Sequence, residues 1–243
     1  YCYSCHASGD LFSFIAKEKN IDFSEALSWV ENEFPFVLHQ KPVQYNKNRP
    51  SALPPMELAK TYYKKTEGDI LNETAKKRGY STGFLRLADL CETSGNVLCK
   101  NASPEELEKL VEQGLIVHRR SGRTLFRDYF YTKRLLFPLR DLSHRIVGFA
   151  GRSIDEGDLP KYLYTKGMQK SRQLYRLEAV MSHWTRSETN GEVCPLYLTE
   201  GFFDALRLES MGLDAVAIMG SHLSDQQLRL LDFFVNDQME RGR

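Results

Sequence analysis

No run of apolar residues in this chain approaches the roughly 18 needed to cross a bilayer, so a helical membrane protein is excluded. Cysteine is scarce: five in 243 residues, too scattered for a disulfide scaffold. An overall charge of one sign is missing too, with 33 Lys+Arg against 32 Asp+Glu and a net charge of +1. The chain has no internal repeat and no low-complexity tract. No Met opens it, and its first residues lack the layout of a signal peptide. These absences leave the expectation of a soluble, cytoplasmic protein with reduced thiols. Its length suits one large domain or two to three small ones.

What is present is a local charge asymmetry. Residues 118–176 hold 14 Lys+Arg and five acids, a net +9, so the remainder carries −8. Such a block can neutralise phosphates, or it can be a solvated face.

The pattern of apolar residues divides the chain. Leu11, Phe12, Phe14 and Ile15 have helical spacing behind Asp10, and a second short helix is predicted from Ser24 to about Glu33. Residues 41–55, rich in Asn, Lys and Pro, read as a linker. A largely helical stretch is predicted from Met56 to about Gly114. Its last helix has capping-box spacing at Ser103 and Glu106, with Pro104 at its first position. Strands are predicted at Leu135–Leu139, Arg145–Ala150 and Tyr162–Tyr164, a helix over Leu177–Trp184, and a polar loop over residues 187–193. The end alternates strand and helix: a strand at Pro195–Thr199, a helix at Phe202–Met211, a strand at Asp214–Met219, then a helix capped by Ser224. That order implies a parallel sheet with right-handed crossovers.

Two motifs carry chemistry. Cys2-x-x-Cys5 is half of a tetrahedral zinc site; with His6 it also has the spacing of c-type haem attachment, or it is a pair of unliganded thiols. In Thr199-Glu200-Gly201-Phe202-Phe203-Asp204, Glu200 follows a strand and Gly201 permits a sharp turn into the next helix. Ligands bind at such strand ends in open α/β sheets, where a carboxylate can bind a divalent metal or move a proton. Asp204 lies one helical turn on. The alternative is a pair of carboxylates solvating a helix start. Arg134, Arg140, Arg152, Lys161 and Lys170 are candidates for phosphate contacts, and Tyr162, Tyr164 and Tyr175 could stack on bases or be ordinary sheet residues.

Taken in order, these pieces resemble bacterial DnaG-type primases over nearly the whole chain. The opening residues, from Tyr1 to Asp10, look like the second half of the primase zinc ribbon. Arg134-Leu135-Leu136-Phe137-Pro138-Leu139-Arg140-Asp141 is similar to the family's Arg-x-x-Phe-Pro-Ile-Arg-Asp stretch. Gly148-Phe149-Ala150-Gly151-Arg152, Lys161-Tyr162-Leu163-Tyr164 and Lys170-Ser171-Arg172-Gln173-Leu174-Tyr175 resemble three further family elements, with Ala150 and Tyr164 as departures from Gly and Asn. Thr199 to Asp204 looks like the Glu-Gly-Tyr-Met-Asp motif that begins a Toprim fold.

The resemblance implies an α+β multi-domain protein: a partial zinc ribbon over residues 1–40, the linker 41–55, a mixed α/β basic subdomain over 56–176, and the first part of a Toprim parallel-sheet fold over 177–243. It implies synthesis of short RNA primers by two-metal nucleotidyl transfer, with Glu200 as a catalytic group and Mg²⁺ or Mn²⁺ ligand and Asp204 in support. Cys2 and Cys5 would be half of a structural zinc site. Arg134, Arg140, Arg152, Lys161, Lys170 and Arg172 would contact a single-stranded DNA template and ribonucleoside triphosphates. A replicative helicase would bind through a region outside the chain. The family's upstream zinc ligands and its later Asp-x-Asp are not found, so the expectation is an internal fragment that binds metal poorly on its own. The rival readings are a Toprim nuclease or topoisomerase, a DNA-binding module with an incomplete catalytic set, and a c-type haem protein.

Overall fold

A computed structural model describes residues 11–33, 53–66, 68–118, 126–155, 157–186 and 195–240. The chain divides into two compact units, Tyr1–Ser51 and Ala52–Arg243. Cys2, Cys5, His6, His39, Cys194, the polar loop and most of the linker lie outside the described residues.

In the first unit, α1 (Leu11–Lys19) and α2 (Phe23–Glu33) form a helical pair. Asp22 and Glu25 close a reciprocal cap on α2: the Glu25 amide donates to Asp22 Oδ1 at 2.8 Å and the Asp22 amide to Glu25 Oε2 at 3.1 Å. Ile15, Ala26 and Val30 form the buried contact, and Lys19 Nζ lies 4.1 Å over the Trp29 ring.

The second unit is built on a four-stranded antiparallel sheet in the order β1 (Cys91–Thr93), β4 (Arg134–Arg140), β5 (Ile146–Ser153), β6 (Tyr162–Tyr164). Both faces are covered, so β4 reads as a continuous apolar run rather than an alternating one. Leu135, Phe137 and Leu139 enter one core, with α4 (Ile70–Arg78), α5 (Thr82–Leu87) and the C-terminal elements. Leu136 and Phe149 enter the other, against α3 (Pro55–Lys64), α6 (Val97–Asn101) and α7 (Pro104–Glu112). Pro138 is tolerated in β4 because β1 reaches only as far as Leu136, so among the described residues one edge of β4 carries no strand there. The α7 capping box forms as expected, with the Ser103 amide 2.7 Å from Glu106 Oε2.

Three further short strands add to those named from the sequence. β1 lies inside the stretch read as helical, and β2 (Ile116–His118) pairs antiparallel with β3 (Phe126–Asp128). After a 3-10 turn at Lys170–Arg172 comes α8 (Leu177–Arg186). Next, β7 (Tyr197–Thr199), α9 (Phe202–Ser210) and β8 (Ala215–Ala217) make the expected parallel unit, with Thr199 opposite Ala217. α10 (Asp225–Glu240) follows, capped by Ser224 Oγ, which accepts from the Gln227 amide at 3.1 Å. The architecture is mixed α/β.

Candidate active site

The turn from β7 into α9 sets out the acidic groups. α9 is docked on the sheet by aromatic packing: Phe137 stands 4.6 Å from Phe202 and 5.3 Å from Phe203, and Tyr175 packs 4.9 Å from Phe202. Gly201 is the helix N-cap residue, and a Cβ there would come within 2.8 Å of Asp204 Oδ2. The Asp204 carboxylate therefore folds back over Gly201, at the helix end where the macrodipole favours negative charge. Glu200 and Asp204 both line a cleft of about 340 Å³ together with Arg78, Arg152, Tyr162 and Tyr164.

A second cleft, of about 490 Å³, continues from the first. Arg78, Arg152 and Phe203 line both; Lys77, Lys161 and the turn between β5 and β6 line the second. Arg152 donates to the Tyr162 hydroxyl at 2.8 Å. Lys170 stands at the rim of the first cleft: its Nζ donates to Met219 O at 3.4 Å and lies 5.5 Å from the Tyr164 ring centre. Burial, with the nearby Tyr162, pushes the Tyr164 hydroxyl up to about 12, so it stays protonated.

The structure separates the other expected phosphate contacts from this site. Arg134 is 2% exposed. Its guanidinium donates to Gly151 O and Pro160 O at 3.0 Å and to Asp158 Oδ2 at 2.8 Å. It fixes the β5–β6 turn rather than reaching a ligand. Arg140 is held by Glu57 at 3.2 Å and Asp89 at 2.6 Å, in a network with Lys60 and Lys64. Arg172 Nε donates to Gln226 of α10 at 3.2 Å. Tyr175, 3% exposed, is a core ring and cannot stack on a base. A strand pattern orders residues along the chain, but not which of them find internal partners.

Arg78 was not a candidate from sequence. It ends α4 in the run Lys76-Lys77-Arg78, and Gly79 stops the helix in the left-handed conformation. That basic run before a glycine stop was a usable signal, lying outside the 118–176 block. Burial first, then the charge of Arg152, lower the Arg78 guanidinium from its ordinary value.

The donor set fits a hard divalent cation. Magnesium is commonly held by one or two carboxylates, with water and substrate phosphates completing its shell. Glu200 and Asp204 are two exposed carboxylates on one cleft wall. Among the described residues, no group of three or more His, Cys, Asp or Glu could hold a metal.

Residues 55–181 match the family model for the N-terminal domain of the DNA primase catalytic core. The DNA primase of Escherichia coli O6:H1 is 30% identical over 248 residues, covering 95% of this chain and 41% of the relative. That of Legionella pneumophila is 26% identical over 239 residues, covering 95% and 40%. The chain thus spans about two fifths of the length of these relatives. A solved DnaG primase catalytic domain bound to ssDNA is 28% identical and superposes with a TM-score of 0.58, over 73% of this chain and 58% of that one. The zinc-binding and RNA polymerase domains of the Aquifex aeolicus primase share the fold at a TM-score of 0.62 and 24% identity, over 96% and 57%. By the matched core domain and these relatives, the chain belongs to the DnaG-type DNA primase family.

Proposed function

We propose that this chain supplies part of the catalytic core of an RNA primase, a nucleotidyltransferase that joins ribonucleotides on a single-stranded DNA template. One observation carries the reading: Glu200 and Asp204 share a cleft with Arg78 and Arg152, so two carboxylates suited to a divalent cation converge with two cations suited to phosphate. Primer extension is attack of a 3′-hydroxyl on an α-phosphate, with charge developing on the attacking and leaving oxygens. A divalent cation, Mg²⁺ or Mn²⁺, neutralises charge at those oxygens when bound. Glu200 and Asp204 would hold it. Arg152 and Arg78 would bind phosphate oxygens by charge-assisted hydrogen bonds, and Lys161 and Lys170 would add point charges at the rims. Tyr162 and Tyr164 would give an incoming base or ribose a flat apolar wall.

In this reading residues 177–243 begin a Toprim subdomain, 56–176 form the basic subdomain, and Cys2 and Cys5 are two thiolate ligands of a structural zinc ribbon within residues 1–40. Single-stranded DNA and ribonucleoside triphosphates are the substrates. A replicative helicase is a partner through other parts of the protein, and the setting is the cytoplasm.

The test is primer synthesis on single-stranded DNA with ribonucleotides and Mg²⁺ or Mn²⁺, with the chain in its full natural context. Glu200→Gln removes the charge and keeps the shape. Template binding is expected to persist while primer yield falls at least about 100-fold, the range seen when a group acting on the transition state is lost. Primers from the variant at the wild-type rate would remove Glu200 from the centre.

A further inference from the structure

The last turn of α4 has no core residue of its own. Leu71 and Ala75 are the buried residues of this helix, and Lys76, Lys77 and Arg78 are not among them. Yet Lys77 and Arg78 line the two clefts, and Arg78 shares the smaller one with Glu200 and Asp204. What holds this turn comes from α9. The Arg78 side chain lies 3.8 Å from the centre of the Phe203 ring, and the backbone of the turn is held by Arg207.

A helix C-terminus leaves carbonyls without intrahelical donors, and its dipole favours a cation there. Two of these carbonyls are met locally: the Tyr80 amide donates to Ala75 O at 2.9 Å and the Gly79 amide to Lys76 O at 3.4 Å. The next two are met from α9. Arg207 Nη1 donates to Gly79 O at 3.2 Å, and Arg207 Nη2 donates to Arg78 O. The same guanidinium lies 4.0 Å over the Tyr80 ring. A hydrogen bond also runs the other way, from the Tyr80 hydroxyl to Phe203 O at 2.7 Å. Burial keeps that hydroxyl above its ordinary value although Arg207 and Arg78 pull it down, so it stays a donor. Among the described residues Arg207 has no carboxylate partner; its contacts are the end of α4 and Tyr80. α9 is itself fixed, with Ala205 and Leu206 fully buried. It carries Asp204 in its first turn and Arg207 in its last.

We propose that Arg207 is a positioning residue: a strut from α9 that holds the end of α4 and so sets the separation between the carboxylates of the β7–α9 turn and the cationic side of the same cleft. This rests on the primase reading. A nucleotide has to meet a metal on the carboxylates and the cations through its phosphates at the same time. Misplacing such groups by about 1 Å costs up to about 100-fold in rate. The strut contributes no binding group of its own, so its loss falls on alignment and not on affinity.

The experiment compares the wild type with Arg207→Leu and Arg207→Lys, with Glu200→Gln alongside. Leu matches Arg in helix propensity, so α9 is kept. Hydrogen exchange over residues 76–82 is read on the 243-residue chain. Primer synthesis is read with the chain in its full natural context, at varied ribonucleotide concentration. In Arg207→Leu the protection of the α4 end is expected to fall about 10-fold. kcat is expected to fall about 10-fold, with KM changed less than about 3-fold. Arg207→Lys keeps a charged donor and is expected to recover part of both losses. A merely structural role would lower the melting temperature and leave kcat alone; that outcome, or unchanged exchange, overturns the inference. So does a rise in KM with kcat unchanged, which would mean lost binding, and so does an Arg207→Lys as impaired as Arg207→Leu. If Glu200→Gln silences synthesis and Arg207→Leu does not slow it, the strut fails and the primase reading stands; if Glu200→Gln has no effect, both fail.

Discussion

Two glycines make opposite demands, and each demand can be measured. At Gly201 the neighbour is the mobile end of the Asp204 side chain, with Oδ2 at 2.8 Å from an added Cβ. Gly201→Ala is expected to cost no more than about 1 kcal/mol of stability, the scale of an N-cap change. It should push the carboxylate aside and lower primer synthesis roughly 10- to 100-fold, as small misplacements do. Unchanged synthesis would show that the orientation of Asp204 does not matter. At Gly114 the backbone has φ +71°, and an added Cβ would meet Lys166 O at 2.6 Å. Backbone cannot move aside, so Gly114→Ala is expected to destabilise the fold by about 2–4 kcal/mol, read by chemical denaturation. Gly201 was legible in the sequence as a sharp turn, and Gly114 as the end of a helical stretch. Which of them touches chemistry was not, because that depends on what folds against it.

At the scale of elements, an ion network joins α3 to the end of β4. Asp89, at the turn before β1, receives Lys64 at 2.7 Å, Arg140 at 2.6 Å and also Lys60. Burial pushes the Asp89 carboxyl up, but hydrogen bonds from Lys60, Lys64 and Arg140 outweigh it and the net direction is down. Asn tolerates the positive φ of 68° at this position, so Asp89→Asn tests the charge and not the backbone. The expected loss is about 1–3 kcal/mol near neutral pH, the worth of hydrogen bonds to a charged group. A depressed native pKa means the unfolded chain takes up the proton first as pH falls. The wild-type advantage is therefore full above about pH 5 and shrinks below about pH 4. A difference that stayed constant down to pH 3 would contradict the network. Elements with their own signal were readable in advance: α7 through its capping box, and the β7–α9–β8 unit through strand–helix alternation. β1 and β2 were not, since three residues carry no measurable period; the partner that defines β1 lies far along the chain, whereas that of β2 is the next strand.

Over the whole molecule, the basic stretch of residues 118–176 overstates the cations available to a ligand and also omits some. Arg134, Arg140, Arg145 and Arg176 are paired with Asp158, Glu57 and Asp89, Asp141, and Glu209. Lys77 and Arg78, from a helix outside the stretch, line the clefts instead. With Arg152, Lys161 and Lys170, five cations among the described residues face the clefts or their rims. Each contact with a single-strand phosphate contributes about −0.7 to the slope of log K against log salt, so five give about −3.5. The 14 basic residues of the stretch, taken at face value, would give about −10. Fluorescence anisotropy with a labelled oligonucleotide across a salt series separates the two. A slope steeper than about −6 would mean that cations outside the clefts carry the strand, and a slope near zero would mean that these clefts do not bind it. The value between follows from the fold, which turns some arginines inward to hold strands and turns together and leaves a smaller set, gathered from α4, β5 and the segments flanking β6, to face the carboxylates at Glu200 and Asp204.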